Sequence, residues 1–224
     1  MNVSEFIRRD ITPVIGISPR NPYFKKTANV LFALEKVLAV YPHAVLFVPG
    51  NLDRYNFLAY GENEENAFRK AAASRGKLQE VMREVCSHTS SNVAIVECGA
   101  YISDPRFQVS FESFHRLYDS NVHFRKDVNK AALLSLTSHL SVNSRDRKRI
   151  EHMGVAQALA WAKEYLLGEL AFLNKASSLL NTNKVVYHYH QSWPVYENLI
   201  AGNYDDCERS ELTFCLLKRD ATPV

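Results

Sequence analysis

Short, unbroken apolar runs alternate along the chain with longer stretches whose apolar residues recur at helical spacing. The first run, Pro13-Val14-Ile15, has the length of a buried strand, and the Gly/Pro cluster behind it reads as a sharp turn. Thr27 to Tyr41 reads as a helix that Thr27 can cap, with Val30, Leu31, Leu34, Val37 and Leu38 on one face. Ala44 to Val48 is a second buried strand and Asn92 to Glu97 a third. Between them Glu64 to Val85 predicts a long helix, with Glu62, Glu64 and Glu65 suited to its N-terminus. Arg75-Gly76 sits awkwardly for that helix to run unbroken. Phe107 to Leu180 is mostly helical in pattern, Lys184 to His190 returns to strand, and Leu212 to Leu217 is the last strand. Strands alternating with helices of this length imply βαβ units, hence an α/β fold with a doubly wound, mostly parallel sheet and helices on both faces.

The 224 residues, 46% of them apolar, suit one large domain spanning 1–224. No run approaches the ~20 apolar residues that span a bilayer, and Met1 to Arg9 lacks the apolar core of a secretory signal. The four cysteines, Cys86, Cys98, Cys207 and Cys215, form no CxxC pair, which argues against a zinc site or disulfide framework and fits the cytoplasm. A net charge of +3 does not by itself indicate a nucleic-acid partner. No GxGxxG follows the first strand, and no GxxxxGK[ST] or GxSxG occurs. A dehydrogenase, a P-loop enzyme and an α/β-hydrolase are correspondingly disfavoured.

Three places carry candidate chemistry. Gly16-Ile17-Ser18-Pro19-Arg20-Asn21 puts Ser18 at the carboxyl end of a strand, where open α/β sheets bind ligands. Ser18 there is either a nucleophile or an ordinary turn serine. In the helix from Val155 to Phe172, Val155, Leu159, Ala162, Leu166 and Leu170 make an apolar ridge, and Ala158, Ala162, Tyr165 and Glu169 make a second stripe. Tyr165 and Glu169 are neighbours one turn apart. With the small alanines beside them they suit a ligand's ammonium group; the alternative is a solvated glutamate on the helix flank. In Val185 to His190, Tyr187 and Tyr189 point to one face and His188 and His190 to the other. No Cys or carboxylate stands at metal-ligand spacing, so no metal is expected, and aromatic packing is the competing reading. The Glu64–Val85 helix also gathers Arg69, Lys70, Lys77 and Arg83 on one face, suited to phosphates, although Glu80 and Glu84 share it. Arg145-Asp146-Arg147-Lys148-Arg149 is a second such cluster.

Together these residues resemble the tRNA-dependent cyclodipeptide synthases. Gly16-x-Ser18-x-x-Asn21 resembles that family's nucleophile turn. Tyr165-x-x-x-Glu169 resembles its substrate-amine motif, and Tyr189-His190 with Pro194 its C-terminal Tyr-His motif. Asn21, Tyr189 and His190 match the subfamily named for those three residue types. Tyr187-His188 competes for the last motif, and Tyr189-His190 is preferred for its distance from Glu169 and the following Trp-Pro.

The resemblance implies a Rossmann-like fold similar to the catalytic domains of tyrosyl- and tryptophanyl-tRNA synthetases. HIGH and KMSKS motifs are missing, which fits an enzyme receiving amino acids already activated as tRNA esters. The implied partners are two aminoacyl-tRNAs, with no cofactor, no metal and no membrane, and the chain is expected to act as a monomer. Ser18 would attack the first ester, in ping-pong fashion, while Tyr165 and Glu169 hold the ammonium. The amine of a second aminoacyl-tRNA would attack the acyl-serine to give a dipeptidyl-enzyme. Its free amine then expels Ser18 as a diketopiperazine, with Tyr189 as proton relay. Gly16, Asn21 and His190 would order the turn, and Val14, Phe172 and Tyr187 would wall the first residue's pocket. An unpaired Tyr187 hydroxyl there would favour aromatic, imidazole or polar side chains over aliphatic ones. Two other readings stay open: a synthetase-like tRNA-binding module without chemistry, and a serine hydrolase of unfamiliar type.

Overall fold

The computed structural model describes residues 10–89, 92–141, 143–204 and 212–217; Met1 to Arg9 and Cys207 lie outside them. Among the described residues, five parallel strands are β1 (Ile11–Gly16), β2 (Ala44–Val48), β3 (Val93–Glu97), β4 (Lys184–Tyr189) and β5 (Thr213–Leu216), in the order β3-β2-β1-β4-β5. The helices are α1 (Thr27–Leu38), α2 (Arg54–Ala59), α3 (Glu64–His88), α4 (Pro105–Ser120), α5 (Val122–Leu140), α6 (Ser144–Met153), α7 (Val155–Asn174), α8 (Ala176–Leu179) and α9 (Pro194–Ala201). The doubly wound, Rossmann-like expectation is met, with every described strand pair parallel.

Alternating side chains divide the core between the two sheet faces. Ile15, Leu46 and Val48 face one way and pack with Val30, Leu34 and Val37 of α1 and Leu78, Met82 and Val85 of α3. Val14, Val45, Phe47 and Tyr187 face the other way, into a larger cluster supplied by α2, α4, α5, α7 and α9. Burying both faces explains why β1 and β2 read as continuous apolar runs.

The sheet order places the site. From β1 the chain winds outward to β2 and β3, then crosses back to β4 on β1's other side. Connections leaving β1 and β4 therefore diverge, opening a crevice at the carboxyl ends of those two strands. Their register pairs Val14 with Tyr187 and Ile15 with His188.

Some local expectations are corrected. Lys26, not Thr27, is the N-cap of α1; the Thr27 hydroxyl instead donates to Glu84 Oε2 at 2.6 Å, tying α1 to α3. α3 runs unbroken through Arg75-Gly76, where a side chain would meet open space. Its N-cap is Asn63, which accepts from the Asn66 amide, with Glu64 and Glu65 in the first turn, whereas Glu62 is engaged elsewhere. Val155 is 56% exposed, because it opens α7 before the helix reaches the core.

Candidate active site

β1 delivers Gly16 and, two residues on, Ser18. The ladder persists one residue past the strand, with Ile17 N–H donating to the Phe47 carbonyl at 2.8 Å. The chain then turns sharply, and the Asn21 N–H closes on the Ser18 carbonyl at 3.2 Å. Ser18 is half-buried. Among the described residues no side chain hydrogen-bonds its hydroxyl, so no triad-type base stands behind it.

Asn21 holds this turn from both ends. Its Oδ1 accepts from the Tyr23 N–H at 3.0 Å, capping the 3-10 turn Pro22–Lys25. That fixes the amide's orientation, so its Nδ2 donates to His190 Nε2 at 2.9 Å. An accepting Nε2 places the imidazole proton on Nδ1. His190, just past β4, also meets Phe24 edge to face. His188 lies near Tyr41 instead, so the His beside Asn21 is that of Tyr189-His190.

Arg20, within the same turn, was assigned no role from the sequence. Its guanidinium lies 3.7 Å over the Phe57 ring and reaches both carboxylate oxygens of buried Asp53 at 3.4 Å. Asn56 Nδ2 also donates to Asp53, at 3.0 Å. The turn is thus pinned to β4 through Asn21 and to α2 through Arg20.

Glu169 is no solvated flank residue. It is 9% exposed and belongs to the buried half of α7. Tyr187 donates to its Oε1 at 3.4 Å, and the Tyr196 hydroxyl donates to it as well. Burial pushes the carboxyl up to about 7, against the opposing pull of those two phenols. Burial foremost, then the Glu169 charge, drives the Tyr165, Tyr187 and Tyr196 hydroxyls well above the usual phenol range. All three remain donors at any working pH. Burial also pushes up the Cys98 thiol nearby, with Glu169 adding to it.

Tyr196 was missed from the sequence. The available signal was Pro194: proline at the first turn of a helix starts α9, and Val195, Tyr196 and Leu199 then share its buried face. Tyr189 stacks on Tyr187 with ring centres 5.8 Å apart and stays partly exposed at the end of β4. Gly16 lets both rings approach: a Cβ there would lie 2.2 Å from the Tyr187 hydroxyl and 2.7 Å from Tyr189 Cδ2.

The expected pocket wall is brought together, though not as an open cavity. Val14 pairs with Tyr187, and Phe172 stacks on Phe47 at 4.5 Å; the side chains of Val14, Tyr187 and Phe172 are fully buried. Because Glu169 already accepts the Tyr187 hydroxyl, an aliphatic ligand would not leave that phenol unpaired. The reasoning that disfavoured aliphatic side chains therefore fails. On α3, Arg69, Lys77 and Arg83 are exposed, but Lys70 is held by Glu62.

Among the described residues no cluster of metal ligands occurs, and no helix is long and apolar enough to cross a membrane. The geometry thus offers a serine on a braced turn, a buried carboxylate titrating near neutrality and several phenols around a sheet's switch point. That set is suited to holding an amine beside an acyl group.

No curated protein matches the chain in sequence. Among solved structures, a cyclodipeptide synthase from Bacillus thermoamylovorans is 17% identical, with a TM-score of 0.80 over 97% of this chain and 93% of that one. One from Staphylococcus haemolyticus is 14% identical, with a TM-score of 0.77 over 97% and 95%. A Mycobacterium tuberculosis protein, whose structure relates cyclodipeptide synthetases to type I tRNA synthetases, is 16% identical, with a TM-score of 0.70 over 96% and 88%. These likenesses establish the fold. The family model for cyclodipeptide synthases matches residues 3–219, and the chain belongs to the cyclodipeptide synthase family.

Proposed function

We propose that this enzyme joins two aminoacyl groups from aminoacyl-tRNAs through a Ser18 acyl-enzyme, in ping-pong fashion, as a member of the Asn-Tyr-His subfamily. The observation that carries the reading is Glu169: a buried carboxylate titrating at about 7, on the sheet face that Gly16 and Tyr189 share. In the first step a bond forms between Ser18 Oγ and the ester carbonyl carbon, and the bond to the tRNA ribose oxygen breaks. The departing ribose oxygen takes up the serine proton, so no strong base is required.

Atom balance corrects the second step. Attack by the second tRNA's amine on the acyl-serine would move the first residue onto that tRNA and vacate Ser18. A dipeptidyl-Ser18 forms only if the first residue's amine attacks the second ester. That amine must first lose a proton, and a carboxylate titrating near 7 is matched to accept it. Glu169 thus holds the ammonium as an ion pair and then takes its proton, with Tyr165 as a hydrogen-bonding neighbour. In the last step the second residue's amine attacks the Ser18 ester. The serine oxygen leaves with a proton that Tyr189 relays, and the diketopiperazine departs.

Val14, Phe172 and Tyr187 wall the first residue's side chain, and Arg69, Lys70, Lys77 and Arg83 meet tRNA phosphates. Aminoacyl-tRNA substrates place the reaction in the cytoplasm. The test is covalent labelling. Protein incubated with radiolabelled aminoacyl-tRNA and then precipitated retains label in the wild type and none in Ser18→Ala. Equal labelling of the two would exclude Ser18 as the nucleophile.

A further inference from the structure

We infer that the first residue loaded onto Ser18 is glycine or alanine, because the space a larger side chain would enter is already filled by Tyr187 and the rings behind it; this rests on the acyl-Ser18 reading above. The α-carbon of an aminoacyl-serine is bonded both to the amine and to the carbonyl carbon. Glu169 holds the one and Ser18 the other, so the loaded residue lies across the end of β1. Its side chain starts between Gly16 and Glu169 and heads for the wall of Val14, Phe172 and Tyr187.

Tyr187 occupies that place. Its hydroxyl lies 3.4 Å from Glu169 Oε1 and only 2.2 Å from where a Cβ on Gly16 would stand. The Cζ atom of the same ring would be 2.8 Å from that Cβ. One phenol thus fills the strip from the end of β1 to α7, and the missing side chain of Gly16 is what lets it fit.

The ring has nowhere to withdraw. Tyr187 is fully buried, stacked on Tyr189 at 5.8 Å and set edge-on to Phe47 at 6.3 Å and Phe214 at 6.0 Å. Behind it Phe172 stacks on Phe47 at 4.5 Å and meets Tyr101 edge to face at 5.4 Å. Val14, in register with Tyr187, closes the β1 side. On the α7 side a Cβ on Gly168 would lie 2.6 Å from Leu52 Cδ1, and fully buried Cys98 has its Sγ 4.0 Å from the Gly168 carbonyl.

No flank of the ring therefore yields the volume of a branched or aromatic side chain. An interior packed this closely takes added carbons only by moving its neighbours. Here the neighbour that would move is a donor to Glu169. A larger first residue thus loses twice, in fit and in the group that steadies the carboxylate holding its amine. Glycine and alanine leave the phenol where it is.

The test charges one tRNA body in turn with radiolabelled glycine, alanine, valine, leucine, histidine and phenylalanine, so that only the side chain differs. The full wild-type chain should retain label from glycine or alanine and load each larger residue about tenfold or more slowly. Y187F keeps the ring and should keep this ranking. Y187L clears the ring and should narrow the gap between alanine and leucine by about tenfold, while its overall rate falls with the lost donor to Glu169. Failure of both glycine and alanine to load, or a larger residue loading within about tenfold of them, would overturn the inference in the wild type alone. A Y187L chain that loads alanine with the wild-type gap to leucine would overturn it too. Label that survives Ser18→Ala would instead remove the acyl-enzyme reading, whereas Ser18-dependent label from a larger residue leaves that reading standing and only the size limit wrong.

Discussion

Tyr187 donates its hydroxyl to Glu169 Oε1 at 3.4 Å, from the strand beside β1 to the buried half of α7. That hydrogen bond, with the one from Tyr196, is what a desolvated carboxylate has in place of water. Burial outweighs both bonds, so the charge of Glu169 works against the fold and for the chemistry.

The sign follows from linkage. Glu169 titrates at about 7 in the folded chain against its ordinary 4.5. Between those values the folded state holds a proton that the unfolded state has released, so stability is present at low pH and lost as pH rises through the window. The loss is on the order of 3 kcal/mol. Glu169→Gln should lack this step, so its stability relative to wild type should climb between pH 4.5 and pH 8, while product formation collapses. Urea denaturation at both pH values measures it. Parallel wild-type and variant profiles would show that the carboxyl is not desolvated as described.

Tyr196→Phe removes a bond that lowers the Glu169 pKa. The carboxyl should then titrate above 7, and the acid limb of the pH–rate profile should move up by roughly one pH unit. Activity should recover toward the wild-type level in more alkaline buffer. A uniform loss of rate at every pH would mean that the phenol serves packing alone.

The fold was legible because β1, β2 and the long helices carry strong, single-period apolar patterns. The Gly16–Asn21 turn and the Tyr165/Glu169 pair were legible because each is local in sequence. Glu169's environment was not, since its donors come from β4 and α9 and nothing in the α7 pattern announces them. The role of Arg20 is hidden for the same reason: its partner Asp53 is 33 residues away, beyond β2. The Thr27 cap failed because tertiary contact with Glu84 overrode a local rule. The Tyr187 specificity argument failed because a hydroxyl's partner cannot be read from which face its strand residue occupies.

Asn21 and His190 should be energetically coupled. Asn21→Ala removes both the cap on the Tyr23 N–H and the donor to His190 Nε2. The cap alone is worth about 1 kcal/mol, and the His190 bond adds about 1 kcal/mol. His190→Ala loses only the second of these, together with its edge contact to Phe24. In a double-mutant cycle read by denaturation, the two substitutions should therefore sum to more than the double variant costs, by about 1 kcal/mol. Strict additivity would mean that the 2.9 Å hydrogen bond contributes nothing.

Gly16→Ala tests the close approach most directly. A methyl group there would overlap the Tyr187 hydroxyl, at 2.2 Å, and crowd Tyr187 Cζ and Tyr189 Cδ2, at 2.8 and 2.7 Å. Gly16 is buried and pairs with Phe47 of β2, at the end of a strand flanked by β4 on its other side, so the backbone has little freedom to retreat. The rings must tilt instead, drawing the phenol off Glu169 and Tyr189 away from the Ser18 turn. Overpacking of this kind costs about 1–3 kcal/mol, and cyclic dipeptide formation should fall far more steeply than stability. Tyr187→Phe removes the atom that collides hardest but leaves the two carbon contacts, so G16A/Y187F should regain part of the lost stability relative to G16A. If the double variant is less stable than G16A by the full cost of Y187F alone, Gly16 is not conserving space for that hydroxyl and the strain lies elsewhere in the turn.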